Sequence, residues 1–289
     1  MISRGESIED YLRGLKEAPS ARRQERYWQI PPYLQHLLWQ AGRMDGGGFT
    51  RDPGNLQTLV NELLEVDSVL ILTLNYDTLV ESCLEVSGWV FASLYDYAKP
   101  GSTFSLVKLH GSVNWAFEVV PYGGPYFSPG TPEIGQILPF LDSARHNAGA
   151  WTTNDIVFRA NPTLDAMRYE EGKLFYPALS APLGVSDELT CPLEHVEAAK
   201  ARLADMDSIN LLIIGYSGHD AEVMDILRDR TKLLRQLTVV DVQPEYCEAV
   251  ERLITPLYRG VQAVPERASG GFTEFVASGR LAEFFRDIR

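Results

Sequence analysis

The sequence predicts an α/β protein with a mostly parallel sheet and helices on both faces. Three observations carry this. Apolar runs of strand length recur from residue 68 onward, as in Val69-Leu70-Ile71-Leu72 and Leu211-Leu212-Ile213-Ile214. Stretches with helical spacing separate them, the pattern of strand–helix units around a buried parallel sheet. Several of the runs end in a cluster of polar residues, and the carboxyl edge of such a sheet is where ligands bind.

Residues 1–67 read as a mostly helical, polar segment that belongs to a smaller module. Ile8, Tyr11, Leu12 and Leu15 have helical spacing. Pro31-Pro32 precedes 33–41, where Tyr33, Leu34, Leu37 and Leu38 share a face, and 56–64 makes another short amphipathic stretch. Gly46-Gly47-Gly48 follows no apolar strand, so it reads as a loop and not as a phosphate cradle.

The main domain spans 68–289. Its elements read as strand 68–74, helix 77–87 and strand 105–109, then a stretch rich in Pro, Gly and aromatics over 116–175. That stretch reads as an inserted loop-rich module or lid, and its aromatics Trp115, Phe117, Tyr122, Tyr126 and Phe127 suit packing or base stacking. Strand 175–179 and helix 192–206 follow. Strand 209–215 feeds helix 219–230, and strand 237–242 feeds helix 244–256. A short strand at 261–264 and an amphipathic helix at 272–288 close the chain.

Composition narrows the partners. The chain has 289 residues, enough for a substantial core, and no apolar run near the ~18 residues of a membrane helix. The net charge of −13 disfavours nucleic acid as the main ligand. An anionic small ligand stays open, because backbone amides and helix N-termini hold phosphates without bulk positive charge. Cys83, Cys191 and Cys247 are sparse and odd in number, and the first residues lack an apolar signal core. Both features fit a reducing cytoplasm. No Cys-x-x-Cys pair is present to build a four-thiolate zinc site, and no metal is expected.

Three polar strand tips carry the candidate chemistry. The first is Thr73-Leu74-Asn75-Tyr76-Asp77, where Asn75 suits a cleft and Asp77 suits either a pocket or a plain helix cap. The second is Leu109-His110-Gly111-Ser112. His110 suits a general base, the common role of an imidazole, or a hydrogen-bonded, partly buried histidine. Gly111 admits the close approach of a backbone or a ligand. The third is Gly215-Tyr216-Ser217-Gly218-His219-Asp220. There Ser217 can bond a hydroxyl or phosphate, Asp220 can cap the following helix, and His219 suits a cap or surface position. Asp241, at the end of a fourth strand, can accept from ribose hydroxyls or simply face solvent.

Taken in order, Thr73–Asp77, Leu109–Ser112, Gly215–Ser217 and Val240-Asp241-Val242-Gln243 resemble the SIR2-like (sirtuin-related) family, closest to its bacterial branch of phage-defence NAD hydrolases. The resemblance covers residues 66–289, including 176–182 before the third motif. It implies a Rossmann-like NAD fold with a smaller second module and no zinc ribbon. It places Asn75, Asp77 and His110 in catalysis: Asn75 positions water or the nicotinamide ribose, Asp77 supports the nicotinamide pocket, and His110 contacts ribose and acts as base. Thr73, Tyr76 and Gly111 join these around the nucleotide. Gly215, Tyr216 and Ser217 would hold phosphate and adenosine ribose, with Asp241 and Gln243 near the adenosine.

The implied function is cleavage of NAD to nicotinamide and ADP-ribose in antiviral defence, in a homo-oligomer or with a defence-system partner. The family's Gly-Ala-Gly-x-Ser diphosphate loop is not found. Its strand and loop either precede Met1 or have been lost. The second case corresponds to an alternative, a module that binds NAD or ADP-ribose, or serves assembly, without turnover. Protein deacylation is a third option, disfavoured by the missing ribbon.

Overall fold

The computed structural model describes residues 30–41, 54–119, 152–160, 174–180, 190–218 and 220–288, with isolated positions between 11 and 20. Helices α1 (Ile30–Ala41) and α2 (Gly54–Leu64) lie ahead of the first described strand. Strand β1 (Val69–Thr73) leads into α3 (Leu79–Val86), and β2 (Phe104–Lys108) returns parallel to β1. Their register runs from Val69 opposite Phe104 to Thr73 opposite Lys108, so both strands end level. Parallel strands need a crossover between them; α3 and a single 3-10 turn at Leu94–Asp96 supply it.

The second parallel sheet is larger. Strand β6 (Ser208–Ile214) follows α4 (Leu193–Asp205) and pairs with one edge of the long β7 (Asp229–Asp241), with α5 (Ala221–Leu227) as the crossover. The other edge of β7 is shared end to end. Strand β8 (Tyr258–Val261), reached through α6 (Pro244–Ile254), takes its first half, and β9 (Glu266–Ser269) takes its second. Helices α7 (Gly271–Ala277) and α8 (Arg280–Arg286) close the chain. The sequence expectation of one helix over 272–288 fails at Gly279, whose left-handed backbone (φ 81°) ends one helix and starts the next.

Helices cover both faces. On one, Val196, Ala199 and Leu203 of α4, Val223 and Ile226 of α5, and Cys247, Val250 and Ile254 of α6 pack with Val107, Ile213 and Val239. Leu70 and Leu72 of β1, and Leu74 just after it, join the same cluster. On the other, Val60 of α2 and Cys83 and Leu84 of α3 pack with Val69 and Leu106, while Leu59 and Leu63 of α2 meet Leu212 and Ile214 beside Phe275 and Phe285. Each fully buried Leu, Ile or Phe contributes about 1.5–3 kcal/mol. Exposed pairs such as Lys200–Asp225 and Arg252–Glu248 contribute about 0–1 kcal/mol. The clusters therefore hold the fold.

A third sheet departs from the sequence expectation. Most of the described residues of the stretch read as loop-rich are strand: β3 (Gly111–Val119) lies between β4 (Thr152–Phe158) and β5 (Leu174–Leu179), all antiparallel. The expected strand at 175–179 exists but belongs to this sheet, not the parallel ones. Tyr122, Tyr126 and Phe127 lie outside the described residues, as do the glycines 46–48. Trp115 is fully buried beside Tyr97 and His195, which settles its role as packing.

Chain reversal from β2 into β3 depends on Gly111. Its φ of +87° is in the left-handed region, and a Cβ there would stand 1.9 Å from the Ala178 carbonyl oxygen. The close approach is thus to a backbone. Gly111→Ala is expected to destabilise the protein by more than about 2 kcal/mol in urea unfolding, because strain and overlap add.

His195 is 4% exposed and its Nε2 lies 2.8 Å from the Leu94 carbonyl oxygen. Burial lowers its pKa from the ordinary 6.5, with the Leu94 bond opposing. The unfolded chain then binds a proton that the native state refuses, so stability is lost as pH falls below 6.5. The urea midpoint should drop between about pH 7 and about pH 5.5, and His195→Gln should flatten that drop.

Candidate functional site

Each candidate tip begins where an apolar strand runs out of pairing partners. Beyond Thr73, the Thr73 carbonyl still accepts from Leu109 N at 3.0 Å, which holds the ends of β1 and β2 together. The chain then turns. Asn75 N donates to Thr73 Oγ1 at 3.1 Å, and Leu79 N donates to Asp77 Oδ1 at 3.0 Å. Both are local side-chain turns of the kind Thr and Asp favour. They leave Asn75 exposed, with no partner for its side-chain amide among the described residues.

Tyr76 is committed to the scaffold. Its hydroxyl donates to the Ser180 carbonyl at 2.6 Å. Its own carbonyl accepts from Val113 N at 2.9 Å and from Ser112 Oγ at 3.4 Å. The first tip is thereby fastened to the start of β3 and the end of β5. Its ring centroid lies 6.4 Å from that of His110.

His110 occupies the corner between β2 and β3, and its carbonyl accepts from Ser180 N at 2.9 Å. Its Nε2 lies 3.2 Å from Asp220 Oδ1, both side chains about four-fifths buried, at 21% and 23% exposure. This contact joins the second tip to the third, across from one parallel sheet to the other. A proton on Nε2 satisfies the carboxylate and leaves the lone pair on Nδ1, the division of labour that makes an imidazole an oriented base.

Asp220 stands at the N-cap position of α5, as the sequence suggested. Its side chain makes no capping bond there. The carboxylate is spent on His110 instead. An acid three residues after Ser217 was the available signal, but only the meeting of two separate sheets gives it this partner.

On the third tip Gly215 has φ +60° and is exposed, and no described atom lies within 4 Å of where a Cβ would stand. Its N–H donates to the Val240 carbonyl at 2.9 Å. Ser217 is exposed with no partner among the described residues. Tyr216 packs on the core and its hydroxyl donates to the Asp220 carbonyl at 3.4 Å; burial raises its pKa. At the end of β7, Asp241 Oδ1 accepts from Gln243 N at 3.1 Å, and Gln243 starts α6 with its side chain unused as a cap. His219 lies outside the described residues.

The tips of β1, β2 and β6 are therefore tied together by Tyr76, His110 and Asp220, while Asp241 and Gln243 stand at the neighbouring tip of β7. Beneath the first tip, Lys108 and Glu81 form a buried ion pair that sequence reasoning missed. The signals were one charge inside the apolar run of β2 and one on the inner face of α3. Among the described residues no group of three His, Cys, Asp or Glu side chains could share a metal ion, and no helix is long and apolar enough to cross a membrane.

No protein-family model matches the chain, and no curated protein matches its sequence.

Burial disfavours the thiolate form at all three cysteines. Burial pushes Cys83 up to about 11 and, with the Glu194 carboxylate adding, Cys191 up to about 12; burial raises Cys247 as well. The thiolate is the reactive form. A thiol reagent at mildly alkaline pH is expected to label the native protein at least about a hundredfold more slowly than the unfolded chain.

Proposed function

We propose that this chain hydrolyses NAD, breaking the nicotinamide–ribose bond to release nicotinamide and ADP-ribose, on a Rossmann-like arrangement of the sirtuin type. The observation that carries the proposal is the 3.2 Å contact between His110 and Asp220, which joins the second motif to the third, while Tyr76 of the first lies beside His110. The ordered motifs supply the identity of the substrate. The exposed side chains of Asn75 and Ser217 supply free hydrogen-bonding groups around it, and Gly215 leaves open space beside them.

In this scheme the C–N bond breaks with its electron pair passing to nicotinamide, which leaves as a neutral ring. Positive charge develops at the ribose C1 carbon and must be met by oriented dipoles. The Asn75 side chain positions the ribose or the attacking water. Water oxygen bonds to C1, and His110 takes the proton that this water loses. The Asp220 carboxylate steadies the imidazolium that results. Gly215 and Ser217 face the phosphate and the far ribose, Asp241 and Gln243 the adenosine, and Asp77 the nicotinamide side. Defence against viruses, through a homo-oligomer or a partner protein, is the setting that the sirtuin-like resemblance brings.

The test is nicotinamide release from NAD, followed by chromatography. His110→Ala should lower the rate about 10²–10⁴-fold, the usual span for a positioned base. Asn75→Ala should cost about 10²-fold, and Asp220→Asn about ten- to a hundredfold, the loss typical of an orienting partner. All three should melt close to the parent. Rates unchanged in His110→Ala and Asn75→Ala would refute these roles. A melting temperature raised by ADP-ribose without nicotinamide release would assign the chain to binding without turnover.

A further inference from the structure

A lysine ammonium lies directly under the first strand tip. Lys108 Nζ is bonded to Glu81 Oε1 at 2.8 Å and donates to the Asp77 carbonyl, with side-chain exposures of 1% for Lys108 and 4% for Glu81. Glu81 Oε1 also accepts from the Tyr97 hydroxyl at 3.1 Å, and that hydroxyl accepts from Asn114 Nδ2 at 3.0 Å. The line Asp77–Lys108–Glu81–Tyr97–Asn114 thus runs from the turn through β2, α3 and the crossover into β3. Residue 113, next to Asn114, returns to the same turn through Val113 N and the Tyr76 carbonyl at 2.9 Å.

Such a pair is a poor source of stability. Desolvation of two charges offsets most of their attraction, and apolar or neutral replacements are often as stable. Ordinary fold maintenance would be served as well by a Leu–Met contact at this depth. What an apolar pair cannot do is present an N–H donor to the Asp77 carbonyl while anchored on a second strand. The carbonyl it grips belongs to the residue that closes the Asn75–Asp77 turn, and the same turn carries the exposed Asn75 amide.

We propose that Lys108 and Glu81 are a positioning pair that sets the conformation of the Asn75–Asp77 turn without touching a ligand themselves. The catalytic half of this proposal rests on the NAD-hydrolase reading; the structural half does not.

The experiment uses the full chain carrying Lys108→Met together with Glu81→Gln. Both charges go, so neither is left buried alone, and Gln retains an acceptor for Tyr97. Amide hydrogen exchange is compared with the parent. Exchange at Leu79 and Val113 should quicken at least about tenfold while β7 amides stay within about twofold, the pattern of local and not global opening. Nicotinamide release should lose at least about tenfold in kcat with KM within about threefold, as for a geometry realised in the transition state.

Unchanged exchange at Leu79 and Val113, or an equal rise across β7, would overturn the proposal. A parent protein that releases no nicotinamide sinks the hydrolase reading instead, and the exchange comparison still decides whether the pair positions the turn. Tyr97→Phe, which removes one bond to Glu81 and leaves both charges, is run alongside. It should shift the same two amides in the same direction, and its failure to do so overturns the proposal if the double variant does not refold.

Discussion

Level pairing of β1 with β2 is the constraint from which the site follows. With Thr73 opposite Lys108, neither strand outruns the other, and the residues after each emerge at one height. Parallel pairing also forces the intervening chain to cross the sheet, which brings α3 and its Glu81 beneath the very tip it left. One register thus decides that His110 neighbours Tyr76 and that Lys108 reaches the Asp77 carbonyl. A slip of one residue would turn Lys108 to the opposite face and part it from Glu81.

Much of this architecture is readable from residue order. Unbroken apolar runs such as 69–72 and 211–214 declare strands buried on both faces, and the structure has parallel strands there flanked by helices on each side. The antiparallel sheet was hidden because Val113-Asn114-Trp115-Ala116-Phe117 sits beside a Pro- and Gly-rich stretch whose turn signals drown a short alternation. Boundaries drifted where charge met backbone. The spacing reads as helix to residue 230, yet β7 begins at Asp229, where Arg230 and Thr231 reach solvent.

The site was legible as positions and opaque as partnerships. Asn75, His110 and Ser217 stand out because polar residues follow apolar runs. That His110 would be met by Asp220 depends on how two sheets are set by α4, whose Arg202 donates to Ser105 Oγ at 2.7 Å. No local pattern encodes that distance. Gly111 shows the same limit from the other side: its need for a small residue was visible, but only the fold shows that the Ala178 backbone claims the space.

The joint at that glycine leaves little slack between the antiparallel sheet and the histidine. Ser180, at the end of β5, donates to the His110 carbonyl with its N–H and accepts the Tyr76 hydroxyl with its own carbonyl. Single hydrogen bonds thus connect the end of β5 to the Tyr76 side chain and to the His110 main chain. The position of the small sheet and the position of the backbone that carries the imidazole are therefore fixed together at residues 110 and 111.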